Sequence, residues 1–293
     1  MNHPFFSVII PTYNRADTVG RSIESVLNQS FHDFEIIVVD DGSEDNSRQF
    51  MERSYYHKVK YVYQDNKGVC AARNHGAALA NGRFLIFLDS DDWLGDNTLH
   101  AFHNALEHGT AKLVLGSMRW YDAAGKIVKE RLPERRGAYY TQGLTGSFAI
   151  LKSFFFGIGG YDENLFYSEN TDLFWRIQFN KDTDLSTYTV CKNGGVCIVK
   201  EERSVRKARY SEKKYLSVKY FMGKHENYLN NNLRHFKNFK RILAISALQN
   251  NHVGEARLCF KDVLMKTPFS LRSHLNYYFV LLMPRLARLY YGR

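Results

Sequence analysis

Phe34-Glu35-Ile36-Ile37-Val38-Val39-Asp40-Asp41-Gly42-Ser43 and Arg83-Phe84-Leu85-Ile86-Phe87-Leu88-Asp89-Ser90-Asp91-Asp92-Trp93 each run an apolar segment straight into a cluster of acids. Residues 36–39 and 84–88 are short, β-branched or aromatic, and bounded by turn residues, as strands buried on both faces of a sheet are. Carboxylates crowded where such strands end repel one another, and burying them unpaired is costly. A divalent cation removes that penalty, and a site of oxygen ligands suits Mn²⁺ or Mg²⁺. For Asp40-Asp41-Gly42-Ser43 the capping of a following helix explains the acids equally well. Asp89-Ser90-Asp91-Asp92 holds three acids in four residues, more than a cap needs, and favours the cation.

Around these two stretches the chain alternates strand and helix patterns. Strands are expected at residues 5–10, 34–39, 59–63, 83–88 and 112–118. Between the first two, Val19, Ile23, Val26 and Leu27 fall at helical spacing and offer one apolar face to a sheet. Between the third and fourth, Ala71, Ala72, Ala77 and Ala78 predict a small-residue helix that approaches the sheet closely. This order predicts an α/β domain with a mainly parallel sheet. Ligands of such sheets lie beyond the carboxyl ends of the strands, where Thr12-Tyr13-Asn14, Asp40-Asp41 and Asp89 to Asp92 fall together.

The 293 residues are 44% hydrophobic and 24% charged, a globular balance that excludes a disordered chain. Cys70, Cys191, Cys197 and Cys259 form no CxxC pair, which argues against a zinc ribbon or a disulfide framework and for reduced thiols in the cytoplasm. No basic segment followed by a cleavable apolar core precedes the first strand, so no secretory signal is expected. Charge is uneven: from Val205 onward 18 lysines and arginines face four acids, leaving 22 against 26 for residues 1–204. The net +10 therefore belongs to the C-terminal part, and two modules are expected, 1–204 and 205–293.

Four motifs, in order, carry a resemblance to a known family. They are Ser7-Val8-Ile9-Ile10-Pro11-Thr12-Tyr13-Asn14-Arg15, Val39-Asp40-Asp41-Gly42-Ser43, Asn66-Lys67-Gly68 leading to Ala72-Arg73-Asn74-His75-Gly76, and Leu88-Asp89-Ser90-Asp91-Asp92. Over about the first 180 residues the chain resembles family-2 glycosyltransferases of the GT-A fold, of the bacterial cell-surface glycan type. The resemblance implies a nucleotide-sugar donor, a UDP-sugar, with Pro11 and Tyr13 at the base, where an aromatic ring stacks. It implies that Asp41 accepts from the base N–H and that Arg73 and Asn74 contact base or ribose. Asp89-Ser90-Asp91 is similar to the family's DxD motif, with Asp89 and Ser90 on the donor, Asp91 on the cation, and Asp92 on the cation or capping the next helix.

The implied reaction is inverting transfer to an acceptor hydroxyl of a glycan or lipid-linked glycan precursor, assisted by Mn²⁺ or Mg²⁺ and a general base. The family's glycine-aromatic-aspartate turn is present as Gly159-Gly160-Tyr161-Asp162-Glu163, but the usual base position after it holds Asn170, which takes no proton. Glu169 is the preferred base and Asp172 the second candidate, three residues apart on one helix face. A histidine that many relatives have near the metal is missing between Val199 and Ser204, which leaves a third ligand unassigned. Two rival functions are a nucleotide-sugar-binding protein without transferase activity, suggested by Asn170, and a sugar nucleotidyltransferase. The latter lacks its glycine-rich phosphate loop after the first strand.

In the C-terminal part, residues 242–248 followed by 254–257 read as a helical hairpin like one tetratricopeptide unit. The segment 275–291 is apolar and aromatic with arginines and a proline inside, and its apolar core is shorter than the about 20 residues needed to cross a bilayer. This pattern predicts a segment lying on an anionic membrane surface, with the protein peripheral on the inner face of the cytoplasmic membrane. Nucleic-acid binding is disfavoured because the aromatics cluster with aliphatics, not between the lysines. A helix that pairs two copies into a homodimer is the structural alternative.

Overall fold

The structure is a computed structural model that describes residues 3–136, 139–141, 143–199 and 211–292. The chain divides into two compact units, residues 1–163 with 169–201, and residues 164–168 with 202–293. The boundary expected between 204 and 205 falls in the segment 200–210, outside the described residues. That residues 164–168 group with the C-terminal unit is not legible in the charge pattern.

The first unit is built on a nine-stranded sheet in the order β3-β2-β1-β4-β10-β6-β11-β5, with β7 paired to β6. Its strands and helices are β1 (Phe6–Thr12), α1 (Val19–Leu27), β2 (Phe34–Asp41), α2 (Ser47–Ser54), β3 (Lys60–Gln64), α3 (Val69–Leu79), β4 (Phe84–Phe87), β5 (Trp93–Leu94), α4 (Thr98–Leu106), β6 (Leu113–Tyr121), β7 (Ile127–Arg131), β8 (Arg135–Arg136), β9 (Tyr139–Tyr140), β10 (Phe148–Leu151), α5 (Lys152–Gly157), α6 (Glu169–Phe179) and β11 (Tyr188–Val199). All five expected strands are present. The sheet is mainly parallel: β1 pairs in parallel with β2 and β4, β2 with β3, and β6 with β11. Three short strands run antiparallel to their neighbours: β10 between β4 and β6, β5 beside β11, and β7 beside β6.

Strand alternation sorts the core into two layers. Phe6, Val8 and Ile10 of β1 face α1 and α4 through Val19, Ile23, Leu99 and Phe102. Ile9 of the same strand faces the other way, with Ile37 and Val39, against α3 and α6. The small-residue helix is confirmed, since Ala72 and Ala77 are fully buried and a Cβ on Gly76 would stand 2.5 Å from Ile9 Cγ2. Strand order reverses between β1 and its neighbours β2 and β4, so the crevice beyond their carboxyl ends is the ligand position of an open α/β sheet.

In the second unit the helices are α7 (Ser211–Lys224), α8 (Glu226–Asn231), α9 (Leu233–Gln249), α10 (Val253–Lys266), α11 (Leu271–Leu282) and α12 (Pro284–Gly292). The expected hairpin is the pair α9 and α10, joined by Asn250-Asn251-His252 with Asn251 at φ 66°. Ser217 Oγ holds the backbone N–H groups of Phe166 and Tyr167 at 3.1 and 3.0 Å, which ties residues 164–168 into this unit. No helix among the described residues is long and apolar enough to cross a membrane.

Candidate active site

The β1, β2 and β4 ends are joined by side chains that satisfy one another's backbone. Asn14, at φ 51°, accepts at Oδ1 from the N–H groups of Glu44 and Asp45 and donates its own N–H to Ser43 Oγ. Asp40 is fully buried, with Oδ1 on the Ser43 N–H at 2.8 Å and Oδ2 on the Tyr61 hydroxyl at 2.6 Å. Burial, then the bond to Asp40, pushes the Tyr61 hydroxyl far above its usual range, so it stays a donor. Asp40 therefore shapes the turn rather than a ligand site. Asp41, also buried, accepts from Gln64 Nε2 at 2.7 Å, Lys67 N–H at 2.9 Å and Gly68 N–H at 2.8 Å. These bonds fasten the loop before α3, and Gly42 (φ +81°) lets it close in, because a Cβ there would stand 2.8 Å from the Asn66 nitrogen.

Arg73 joins the carboxylates of Asp89 and Glu169. Its side chain is 2% exposed, donates from Nη2 to Asp89 Oδ1 at 2.7 Å, and places Nη1 3.5 Å from Glu169 Oε1. The guanidinium also stands 5.0 Å from the Tyr161 ring centroid. Burial works against its charge, but Asp89, Tyr161 and Glu169 outweigh burial and raise its pKa further. Asp89 uses its other oxygen to accept from Thr145 Oγ1 at 2.7 Å. One buried cation thus links the acid at the end of β4 to the acid at the start of α6.

Asp89, Asp91 and Asp92 each offer a carboxylate oxygen, and these lie within 4.8 Å of one another. Asp91 pairs with Arg15 at 3.6 Å, and its carbonyl accepts from the Arg21 guanidinium, which stands over the Trp93 ring at 4.8 Å. The carbonyls of Asp89 and Asp92 both accept from Ser22 Oγ, so α1 holds the acidic turn in shape. The donor set, three carboxylates with hard oxygen atoms, fits Mn²⁺ or Mg²⁺. Two buried polar groups nearby in the sequence motifs lack hydrogen-bond partners among the described residues: Thr12 Oγ1 at the end of β1, and Arg73 through Nε and Nη1. Tyr13, directly after β1, is 45% exposed, whereas Pro11 is buried in the sheet. Ser90 is buried within the acidic turn.

Glu169 and Asp172 stand in different surroundings. Glu169 opens α6 with its side chain 19% exposed, and Asn170 Nδ2 lies 3.5 Å from Oε1. Asp172 is fully buried and receives Arg176 at 2.8 Å from Nε and 2.7 Å from Nη2. Arg176 in turn donates to the carbonyls of Ile158 and Gly160. Through Arg176, Asp172 is tied to the glycine turn. Asn74 is likewise committed: its amide brackets the Tyr161 backbone, accepting from N–H and donating to C=O at 2.9 Å each, and also reaches Glu163. Asn170 accepts from the Tyr161 hydroxyl at 3.0 Å, and burial, partly opposed by Arg73, pushes that hydroxyl's pKa far up.

Residues 7–161 match the family described as Glycosyl transferase family 2. The chain belongs to this family. A family relative, glycosyltransferase GlyG of Streptococcus pneumoniae serotype 4, is 34% identical over 119 residues, which are 40% of this chain and 40% of GlyG. Validoxylamine A glucosyltransferase of Streptomyces hygroscopicus is 40% identical over 126 residues, 41% of this chain and 30% of that enzyme. The matched region thus spans less than half the length of either relative. Among solved structures, S. aureus TarS superposes with a TM-score of 0.59 at 18% identity, covering 97% of this chain and 54% of TarS. TarS 1–349 in complex with UDP-GlcNAc gives 0.55 at 20%, covering 94% and 79%. These show a shared GT-A fold.

Three residues outside the motifs join these acids, Thr145 on Asp89, Gln64 on Asp41 and Arg176 on Asp172, while Arg15, which ends the first motif, pairs with Asp91. Gln64 was findable, since it ends β3 as Asp41 ends β2. Thr145 lies in the 132–145 loop, where no local pattern marks it, and residues 137, 138 and 142 of that loop are outside the described residues. The missing histidine near 199–204 concerns residues that also lie there.

Proposed function

We propose that the protein transfers a sugar from a nucleoside-diphosphate donor, a UDP-sugar, to a hydroxyl of a glycan or lipid-linked glycan precursor, with inversion. The observation that carries this reading is Arg73, a buried cation that joins Asp89 of the acidic turn to Glu169 in the chain's family-2 cleft. Family relatives whose names are glycosyltransferases, and a TarS structure solved with UDP-GlcNAc, support the donor class.

In this reading Tyr13 stacks on the base and Asp41 accepts its imide N–H, on top of the bonds that hold the loop. Asp89 takes the ribose hydroxyls, and Asp91 with Asp92 holds Mn²⁺ or Mg²⁺. Held by these carboxylates, a divalent cation would supply positive charge to the departing diphosphate. Arg73 fixes the distance between the donor side and the acceptor side. Glu169 takes the proton of the acceptor hydroxyl at Oε2, since Oε1 already faces Arg73 and Asn170. Attack from the face opposite the diphosphate inverts the anomeric carbon. Asn170 and Tyr161 keep Glu169 in place, with Asn74, Asp172 and Arg176 bracing the turn behind them.

The test is incubation with Mn²⁺ and a panel of nucleotide sugars, with and without saccharide acceptors. Release of nucleoside diphosphate coupled to product, abolished by EDTA, is the expected result. Binding without release points to a nucleotide-sugar-binding protein, and exchange of pyrophosphate to a nucleotidyltransferase; either outcome defeats the proposal.

A further inference from the structure

The last two helices carry an apolar surface that the C-terminal unit does not cover. On α11, Leu271, Leu275, Tyr278 and Leu282 recur at spacings of four, three and four, which places them on one stripe. They are 73%, 62%, 48% and 72% exposed. The opposite side of α11 packs inward through Ser273 and Val280. On α12, Leu286, Leu289 and Tyr290 form a second stripe, each more than half exposed, while Ala287 is buried. Phe269 before α11 is fully exposed, and Met283 continues the apolar surface between the helices. A shallow apolar depression of about 270 Å³ lies between His274, Leu275, Tyr278, Phe279, Leu282 and Met283.

The charge around this surface has one sign. From residue 263 to 293 there is no Asp or Glu, against Lys266, Arg272, Arg285, Arg288 and Arg293. By helical rotation Arg272 sits at the edge of the α11 stripe and Arg285 beside Leu289, and both are exposed. A contiguous apolar patch of this extent on a soluble surface marks an interaction site. An apolar stripe with cations at its rim is the pattern of helices that lie in the plane of a bilayer, with the arginines at headgroup level. Neither helix is long enough to span, at 12 and 9 residues.

We propose that α11 and α12 form a docking surface for an anionic lipid bilayer, with the leucine and tyrosine stripes sunk into the headgroup boundary and the arginines on lipid phosphates. This goes beyond the transferase reading and does not depend on it. A second copy of this chain would bring Arg272 and Arg285 against the same cations of its partner, and nucleic acid gives the leucines nothing to bury in.

The test is sedimentation of the full chain with phosphatidylglycerol vesicles and with phosphatidylcholine vesicles. The expected result is binding to the anionic vesicles at least tenfold tighter than to the neutral ones, weakened by salt. Leu275→Gln with Leu282→Gln, both solvent-facing, lowers that binding at least tenfold without changing the circular dichroism. Arg272→Gln with Arg285→Gln reduces the preference for anionic lipid. No sedimentation with phosphatidylglycerol, or binding indifferent to both pairs of substitutions, overturns the proposal. So does a solution dimer that the leucine substitutions dissociate in a protein that ignores vesicles, or DNA binding that depends on the arginines alone. Diphosphate release in vesicle-free buffer, measured on the same samples, keeps this outcome separate from that of the transferase reading.

Discussion

Glu169 and Asp172 stand less than one helical turn apart in meeting places of opposite character, and the contrast decides what each substitution does. Glu169 is part-exposed beside Arg73, whereas Asp172 is buried with its Oδ2 accepting from both Nε and Nη2 of Arg176. Glu169→Gln keeps the shape and removes the carboxylate proposed as proton acceptor. It should cut transfer by about 10²–10⁴-fold while the melting temperature stays put, as steady-state kinetics and calorimetry on the same sample will show. Asp172→Asn leaves Arg176 without its buried partner and should cost about 3 kcal/mol of stability, read as a drop in denaturant midpoint. If Asp172→Asn is fully stable and inactive, the roles are reversed. Asp91→Asn removes one oxygen from the acidic triad. Mn²⁺ affinity by calorimetric titration should fall at least tenfold, and donor turnover by about 10²-fold. At this scale the motifs located the acids but not their duties, because an acid looks the same in sequence whether it faces solvent or an arginine.

Helix α3 shows how an element's sequence encodes its depth. Alanines and Gly76 let its backbone approach Ile9 and Val39 of the sheet, which brings Arg73 onto Asp89. Gly76→Ala improves helix propensity by about 1 kcal/mol. It also forces a methyl to within 2.5 Å of a branched side chain in a buried strand, and such overpacking costs about 1–3 kcal/mol. The clash should win, with net destabilisation on chemical denaturation and weaker donor binding as Arg73 shifts. The same helix buries Cys70, whose thiol burial pushes up to about 12. Strands β1 to β4 and α3 were readable because their periodicity is local. Strand β10 was not: four residues, Phe148–Leu151, carry no alternation that separates them from a loop, and only pairing with β4 and β6 makes them a strand.

For the whole molecule, linkage connects these buried groups to pH and ligand. Burial raises the thiols of Cys70 to about 12 and Cys259 to about 11, and the hydroxyls of Tyr55 and Tyr188 each to about 12. The unfolded chain releases these protons first, so the stability they contribute is complete below about pH 8.5 and is lost as pH rises toward 12. The melting temperature should fall steadily above pH 9, and thiol reagents at pH 8 should label the buried cysteines only after denaturant unfolds the protein. Mn²⁺ with the matching UDP-sugar at 100 times its dissociation constant should stabilise the fold by about 2.7 kcal/mol, visible as a rise in melting temperature that the metal-free sample lacks. The sequence by itself determined the α/β class, the strand-end placement of Asp41 and Asp89 to Asp92, and the basic, apolar end of the chain. These follow from periodicity and charge within a few residues. Only the tertiary structure decided which acid is committed and which faces the cleft, because the deciding partners are remote along the chain. Arg73 is 16 residues from Asp89, Thr145 is 56 from it, and Asn74 is 87 from Tyr161. A carboxylate's role is set by what folding places within about 3 Å of it, and no local pattern carries that information.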